Sequence, residues 1–458
     1  MKDLYMLNYS VKGIKNLDKM VSLSFYKKTI TKNMDTQEYN IKGIYGMNGS
    51  GKSGIVTSVE ILRKLLTDSG YLSNPIAQKN LDAIVNKRTG ELYIEVDYVV
   101  KVESELFHFR YSIMLKKDIT GKFVIASENL SARKATSKSE EMSDIFKVVD
   151  GELIYLYGKE RIQELYALIS NKTMNLLSTA TMAVLFYEKI LVHEPERVDF
   201  SANISSVGIF FLYFLGRKLY VYLDQSDNHR EYIAKNSLDN YGESKIYGDK
   251  IYSLLTSYLE IDHSWLNIIS PSGNLISRKK YAHFEKTIKS LYEFLHIFKP
   301  DLKDILIDKK ESRTMWICDL IMEYENYKIH AEYESTGIKK LIQLFAYMKE
   351  MVQGGIVFID EFDSNLHDVY LCALLEYLME YGEGQLCFTT HNVGPMDVLK
   401  NRKKSIDFLS ENHNIYSWTK NGNYSPSKLY RNGMIEGSPF NVDSIDFIGV
   451  FGFDEEDK

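Results

Sequence analysis

Eight residues, Gly46-Met47-Asn48-Gly49-Ser50-Gly51-Lys52-Ser53, have the types and spacing of a phosphate cradle. Glycines at the first, fourth and sixth places let backbone amides turn inward around phosphate oxygens without a side-chain clash. The helix that follows would add its positive dipole end. Lys52 would then reach the β- and γ-phosphates, and the Ser53 hydroxyl would sit on Mg²⁺. A second chemical group is Ile356-Val357-Phe358-Ile359-Asp360-Glu361. Four apolar residues predict a strand buried on both faces, with two carboxylates at its C-terminal end, where open α/β sheets hold ligands. Asp360 suits a magnesium shell, and Glu361 suits polarising an attacking water.

Two further groups are weaker in isolation. In Leu386-Cys387-Phe388-Thr389-Thr390-His391-Asn392, His391 ends the next expected strand and could donate a hydrogen bond to a γ-phosphate. In Glu334-Ser335-Thr336-Gly337-Ile338-Lys339-Lys340, a Ser-x-Gly stands at a strand-to-helix junction. It can cradle an anion, and a plain N-cap accounts for Ser335 equally well.

The elements that must carry these residues can be read from periodicity. Strands are expected at 21–26 and 41–46, and a helix from Ile55 to Leu66. Runs at 92–99, 106–113 and 122–125 alternate with period two and predict an antiparallel meander. Residues from about 140 to 310 are expected to be mainly helical, with loops at 227–229 and 270–274. Strands follow at 315–318 and 327–330, then a helix over 338–351. Strand 356–359, helix 369–381 and strands 386–389 and 406–409 then alternate as a parallel sheet requires.

The 458 residues carry 56 basic and 62 acidic side chains, a net charge of −6 that argues against coating nucleic acid by bulk charge. Basic runs at Lys400–Lys404, Arg278–Lys280 and Arg133-Lys134 with Lys138 leave local DNA contact open, although such runs are commonly solvated faces. Cys318, Cys372 and Cys387 are odd in number and lack metal-ligand spacing, so no disulfide framework is expected. The N-terminus lacks an apolar signal core. The apolar run Val207–Leu215 is well short of the roughly 20 residues that span a bilayer. It is expected to be buried, with Phe210–Phe214 packing in the core or against another subunit. These features favour a cytoplasmic protein without a membrane partner. The acidic tail 454–457 is expected to be solvated.

The order of motifs, continued by Phe362-Asp363-Ser364-Asn365-Leu366-His367, resembles the ABC-type ATPase heads of the SMC/RecF/OLD-like superfamily. The resemblance covers residues 1–130 and about 312–440. It implies an α/β fold: a mixed sheet core with an antiparallel β lobe and a mainly helical insertion. The halves of the head would be 1–135 and 312–458, with the insertion at 136–311. It further implies that ATP with Mg²⁺ is bound by Gly46, Asn48, Gly49, Ser50, Gly51, Lys52 and Ser53, with Ser53 and Asp360 on the metal. Glu361, His391 and Lys52 would be catalytic.

In that scheme Glu334–Gly337 is the signature motif, with Ser335 and Gly337 touching the nucleotide of a second copy, and Asp363 is the D-loop residue. Two heads would sandwich ATP as a homodimer or larger homo-oligomer. The Leu-Ser-Gly-Gly-Gln form of transporter ATPases is absent, and Gln78 is the available Q-loop glutamine. The middle stretch lacks sustained heptads, so a long coiled coil is not expected. Size and order resemble stand-alone ATPase subunits of PARIS- and Septu-type phage-defence systems. The 67 residues after His391 (458 − 391) are too few for the TOPRIM nuclease of OLD proteins. The resemblance thus implies a regulatory ATPase with a separate effector, such as a nuclease. The rival expectations are a RecF-like DNA-repair ATPase and a nucleotide-stabilised scaffold with little turnover.

Overall fold

Three short segments, each buried along its whole length, form the centre of a six-stranded sheet. They are β3 (Ile41–Tyr45), β14 (Ile356–Ile359) and β15 (Gln385–Thr389), flanked by β9 (Leu219–Tyr222), β16 (Ile406–Leu409) and β17 (Ile415–Ser417). The order is β17-β16-β3-β15-β14-β9, and every pairing except β16–β17 is parallel. The continuous apolar run of β14 is what a sheet covered on both faces demands, and β3 and β15 bury Lys42 and Gln385 there as well. The computed structural model describes residues 4–26, 29–31, 34–102, 105–137, 141–158, 163–191, 204–223, 268–312, 315–402, 404–419 and 425–439. The loop expected at 227–229, Lys138, Lys403 and the acidic tail lie outside the described residues.

One face of this sheet is covered by α1 (Lys52–Thr67) and an antiparallel lobe. The lobe comprises β1 (Leu4–Lys12), β2 (Val21–Ser24), β4 (Glu91–Val102), β5 (Glu105–Lys117), β6 (Phe123–Lys134), β7 (Ser143–Val149) and β8 (Glu152–Leu156). Its order is β2-β1-β4-β5-β6-β7-β8, so the expected meander of β4, β5 and β6 is present and runs on through two more strands. The buried Gln385 side chain joins the two sheets: it accepts from Met6 N at 2.7 Å and donates to Met6 O at 2.9 Å. Between α1 and β4 lies α2 (Pro75–Ile84).

The stretch 136–311 is mixed. It holds α3 (Gln163–Thr173), α4 (Met182–Phe186), α5 (Ile204–Lys218) and α6 (Tyr281–Phe298). Its strands go to three different sheets: β7 and β8 to the lobe, β9 to the six-stranded sheet, and β10 (Asn274–Ser277) and β11 (Asp304–Ser312) to a small antiparallel one. In the last, β12 (Met315–Glu323) pairs with β10, β11 and β13 (Lys328–His330). The apolar run 207–215 is the middle of α5. Ile209, Phe210, Phe211, Leu212 and Leu215 are no more than 1% exposed, so the aromatic stretch is core. Phe211 packs on Phe109 of the lobe, and α5 also lies along α1. Among the described residues no helix is long and apolar enough to cross a membrane.

The other face of the parallel sheet carries α7 (Thr336–Val352), α8 (Asp368–Tyr381) and α9 (Gly394–Leu399), with Tyr347, Leu371, Leu375 and Met396 in the shared core. The far side of α7 meets α6 and the small sheet through Leu341, Ile342, Leu291 and Leu295.

Candidate nucleotide-binding and hydrolysis site

The loop from β3 to α1 forms as its glycines require. Gly51 caps α1 at φ +109°, in the left-handed region, and a Cβ there would meet Leu17 at 2.3 Å. Gly49 O accepts from Asn16 Nδ2, so the turn after β1 supports the loop from beneath. Lys52 is 6% exposed and folds back to donate to Gly46 O at 2.7 Å and Met47 O at 3.0 Å. Burial pushes its ammonium down to about 8, opposed by Asp360, Glu361 and Asp363. Ser50 Oγ is buried without a hydrogen-bond partner, an orphaned polar atom inside the loop. Asn48 and Gly49 are exposed at the rim, and Ser53 is half-buried on the first turn.

Asp360 and Glu361 leave the end of β14 two strands from β3. Asp360 is 9% exposed; its Oδ1 accepts from Thr389 Oγ1 at 2.5 Å, and its N–H donates to Tyr222 O of β9 at 2.9 Å. Glu361 has φ +49°, a left-handed conformation that costs a non-glycine residue about 1–3 kcal/mol. Its N–H donates to the same Thr389 Oγ1 at 2.9 Å. Its side chain is exposed, free to reach a water. Thr389 therefore serves both acids, a role that the Thr-Thr-His-Asn run did not reveal.

His391 lies just beyond β15 and is exposed. Burial of its ring surroundings and the Lys52 charge lower its pKa, against Asp363, Glu361 and Asp360. The shift favours the neutral imidazole, which still has one N–H to give. Asp363 accepts from Asn392 N at 3.1 Å. Asp360, Glu361 and Asp363 each act on both the Lys52 ammonium and the His391 ring, so the phosphate loop, the end of β14 and the end of β15 meet at one place.

Ser335 and Gly337 are not among the partners of that cluster. Ser335 is the N-cap of α7, its Oγ accepting from Ile338 N at 3.3 Å, which is the capping role; the hydroxyl proton remains available to a ligand. Gly337 is glycine for a reason of packing: a Cβ would lie 2.5 Å from Asn365 O. Thr336 Oγ1 donates to Asn365 Oδ1 at 3.3 Å. The start of α7 therefore rests on the loop that holds Asp363. Gln78 is engaged elsewhere: its amide bonds Leu72 O, Phe123 O and Phe123 N. The basic runs have structural partners too: Arg278 pairs with Glu311, and Arg402 donates to Gln37 O and Met379 O.

Magnesium fits these residues. Among the described residues no group of three or more His, Cys, Asp or Glu could hold a metal. A cation here would be held by one Asp360 oxygen, the Ser53 hydroxyl and phosphate oxygens, the sparse protein shell typical of Mg²⁺.

A phosphate loop on a parallel sheet, paired acids two strands away and an antiparallel lobe packed above define a P-loop ATPase head of the ABC type. The chain belongs to the family described as "AAA domain, putative AbiEii toxin, Type IV TA system", whose model matches residues 41–397. It is 23% identical over 437 residues to the Retron Vc95 probable ATPase of Vibrio cholerae serotype O1 biovar El Tor, covering 89% of this chain and 77% of that protein. A solved structure of the recombination mediator protein RecF is similar at a TM-score of 0.38 and 12% identity. That likeness covers 91% of this chain and 99% of the other, and adds nothing to the fold described above.

Proposed function

We propose that this chain is a Mg²⁺-dependent ATPase that works as a switch: two heads close over ATP, and the closed state controls a separate effector protein in anti-phage defence. The observation that carries the hydrolytic part is that Thr389 pins both Asp360 and Glu361 at the end of β14, two strands from the loop that holds Lys52, where the two acids act on Lys52 and His391. The defence setting is supported by the family and by the retron relative. Lys52 exchanges the Gly46 and Met47 carbonyls for β- and γ-phosphate oxygens. Loop amides and the Ser50 hydroxyl surround those oxygens, with Gly46, Asn48, Gly49 and Gly51 shaping the turn. Ser53 and Asp360 would hold the magnesium, whose charge would offset that of the phosphates.

Glu361 accepts a proton from the attacking water, and His391 donates a ring N–H to the γ-phosphate. Ser335 and Gly337 of one head meet the nucleotide of the other, with Asp363 at the same seam. The exposure of Ser335 and Thr336 at the start of α7 supports this arrangement. A cytoplasmic location completes the reading.

The test is Glu361→Gln, assayed for ATP hydrolysis and for sedimentation with ATP and magnesium. Hydrolysis is expected to fall by about 100-fold or more while an ATP-dependent dimer accumulates. Undiminished hydrolysis overturns Glu361 as the base, and a monomer at saturating ATP overturns the sandwich.

A further inference from the structure

Lys340 lies on α7, five residues after Ser335 (340 − 335), and is only 3% exposed. A buried ammonium is costly unless polar groups surround it. Here it donates to Glu361 O at 2.6 Å and to Ser364 Oγ, and stands 5.6 Å from the centroid of the Tyr222 ring. Tyr222 is the residue of β9 whose carbonyl receives the Asp360 N–H. One cation thus touches the strand beside β14, the turn after it and the loop beyond.

The conformation of Glu361 gives this contact its meaning. A left-handed non-glycine residue persists only where its surroundings over-determine it. The peptide before Glu361 is held by Thr389 of β15. The peptide after it is held by Lys340 of α7, together with Ser364 N at 3.0 Å. Two elements therefore grip the residue from opposite sides, and α7 is the helix whose first turn bears Ser335, Thr336 and Gly337. That turn is already locked onto Asn365 by the Thr336 bond and by the close approach at Gly337. A helix moves as a rod, so a shift at Ser335 reaches Lys340 little more than one turn later.

We propose that Lys340 is a positioning residue that transmits engagement of the α7 N-terminus to the Glu361 turn, so that the base is aligned when a second head docks. This rests on the reading of Glu361 as the group that activates water. The experiment is steady-state ATP hydrolysis of Lys340→Met and Lys340→Arg, with Glu361→Gln alongside and ATP-dependent self-association measured for each. Lys340→Met is expected to lower kcat by about tenfold to 100-fold with KM and self-association near wild type. Lys340→Arg, which can still donate to both oxygens, restores most of kcat.

A wild-type kcat in Lys340→Met overturns the proposal, as does a loss in which KM and self-association fail together with kcat. Should Lys340→Met not fold, Ser364→Ala removes one acceptor of the same ammonium: lowered kcat at unchanged KM supports the link, and unchanged kcat overturns it. Hydrolysis retained in Glu361→Gln sinks the base assignment itself. Hydrolysis lost there but kept in Lys340→Met sinks only the coupling.

Discussion

Thr389→Val replaces a hydroxyl by a methyl of nearly the same shape at a position only 1% exposed. Two bonds vanish together: the one donated to Asp360 Oδ1 and the one accepted from Glu361 N. A hydrogen bond to a charged group is worth about 1.5–3 kcal/mol, and a buried amide left unpaired costs about 1–3 kcal/mol. Asp360 sits at the mouth of the site and can take up water, so the lower ends apply. Unfolding in urea should show a loss of about 2–3 kcal/mol.

The catalytic consequence is separate. With its amide released, Glu361 has less reason to hold φ +49°, and misplacement of a reacting group by about 1 Å can cost about 100-fold. The expected outcome is a fall in kcat of about tenfold or more, while Thr389→Ser keeps both bonds and most of the rate. If Thr389→Val is destabilised as calculated but turns over ATP at the wild-type rate, the threonine braces the fold and has no part in aligning the acids.

Other variants probe the frame. Lys42→Met strips the partner from Asp407, a pair 2.6 Å apart with side chains 1% and 0% exposed; a loss of about 3–5 kcal/mol is expected in urea, much of it recovered when Asp407→Leu is added. Glu128 is fully buried, and burial pushes its pKa to about 7 despite bonds from Met182 N and Tyr111 Oη. The folded state therefore binds its proton more tightly than the unfolded chain. Its stabilisation is complete below about pH 4.5 and is lost as pH rises towards 7, a swing of about 3 kcal/mol. Glu128→Gln should flatten that part of the urea stability–pH profile. Gly337→Ala drives a Cβ towards Asn365 O. It should weaken ATP-dependent self-association by about tenfold while calorimetry finds single-head ATP affinity within about twofold of wild type.

The phosphate loop and the paired acids were legible because their chemistry is written in consecutive residues. The same holds for β14, whose unbroken apolar run fits a doubly covered sheet. Other features depend on partners distant in sequence. Leu219–Tyr222 follows the apolar helix α5 without a break, and only pairing with Ile356–Ile359 makes it a strand. Ile145, Phe146 and Val148 belong to β7 because β6 offers an open edge. Thr389 and Lys340 look like an ordinary strand threonine and a solvated helix lysine until the chain 28 and 21 residues away is brought against them. Gly337 invited a ligand explanation, and the Asn365 carbonyl supplies a packing one as well.

The direct passage of α5 into β9 couples regions that a looser connection would leave independent. The rod lies against the antiparallel lobe, and the strand it becomes is bonded at Tyr222 to the amide of Asp360. No slack intervenes between Lys218 and Leu219, so tilting the lobe must tug on the carboxylate end of the parallel sheet, and tightening that end must lean on the lobe. A protein gripping the outer strands would therefore be joined, through α5 and β9, to the Asp360 end of the parallel sheet.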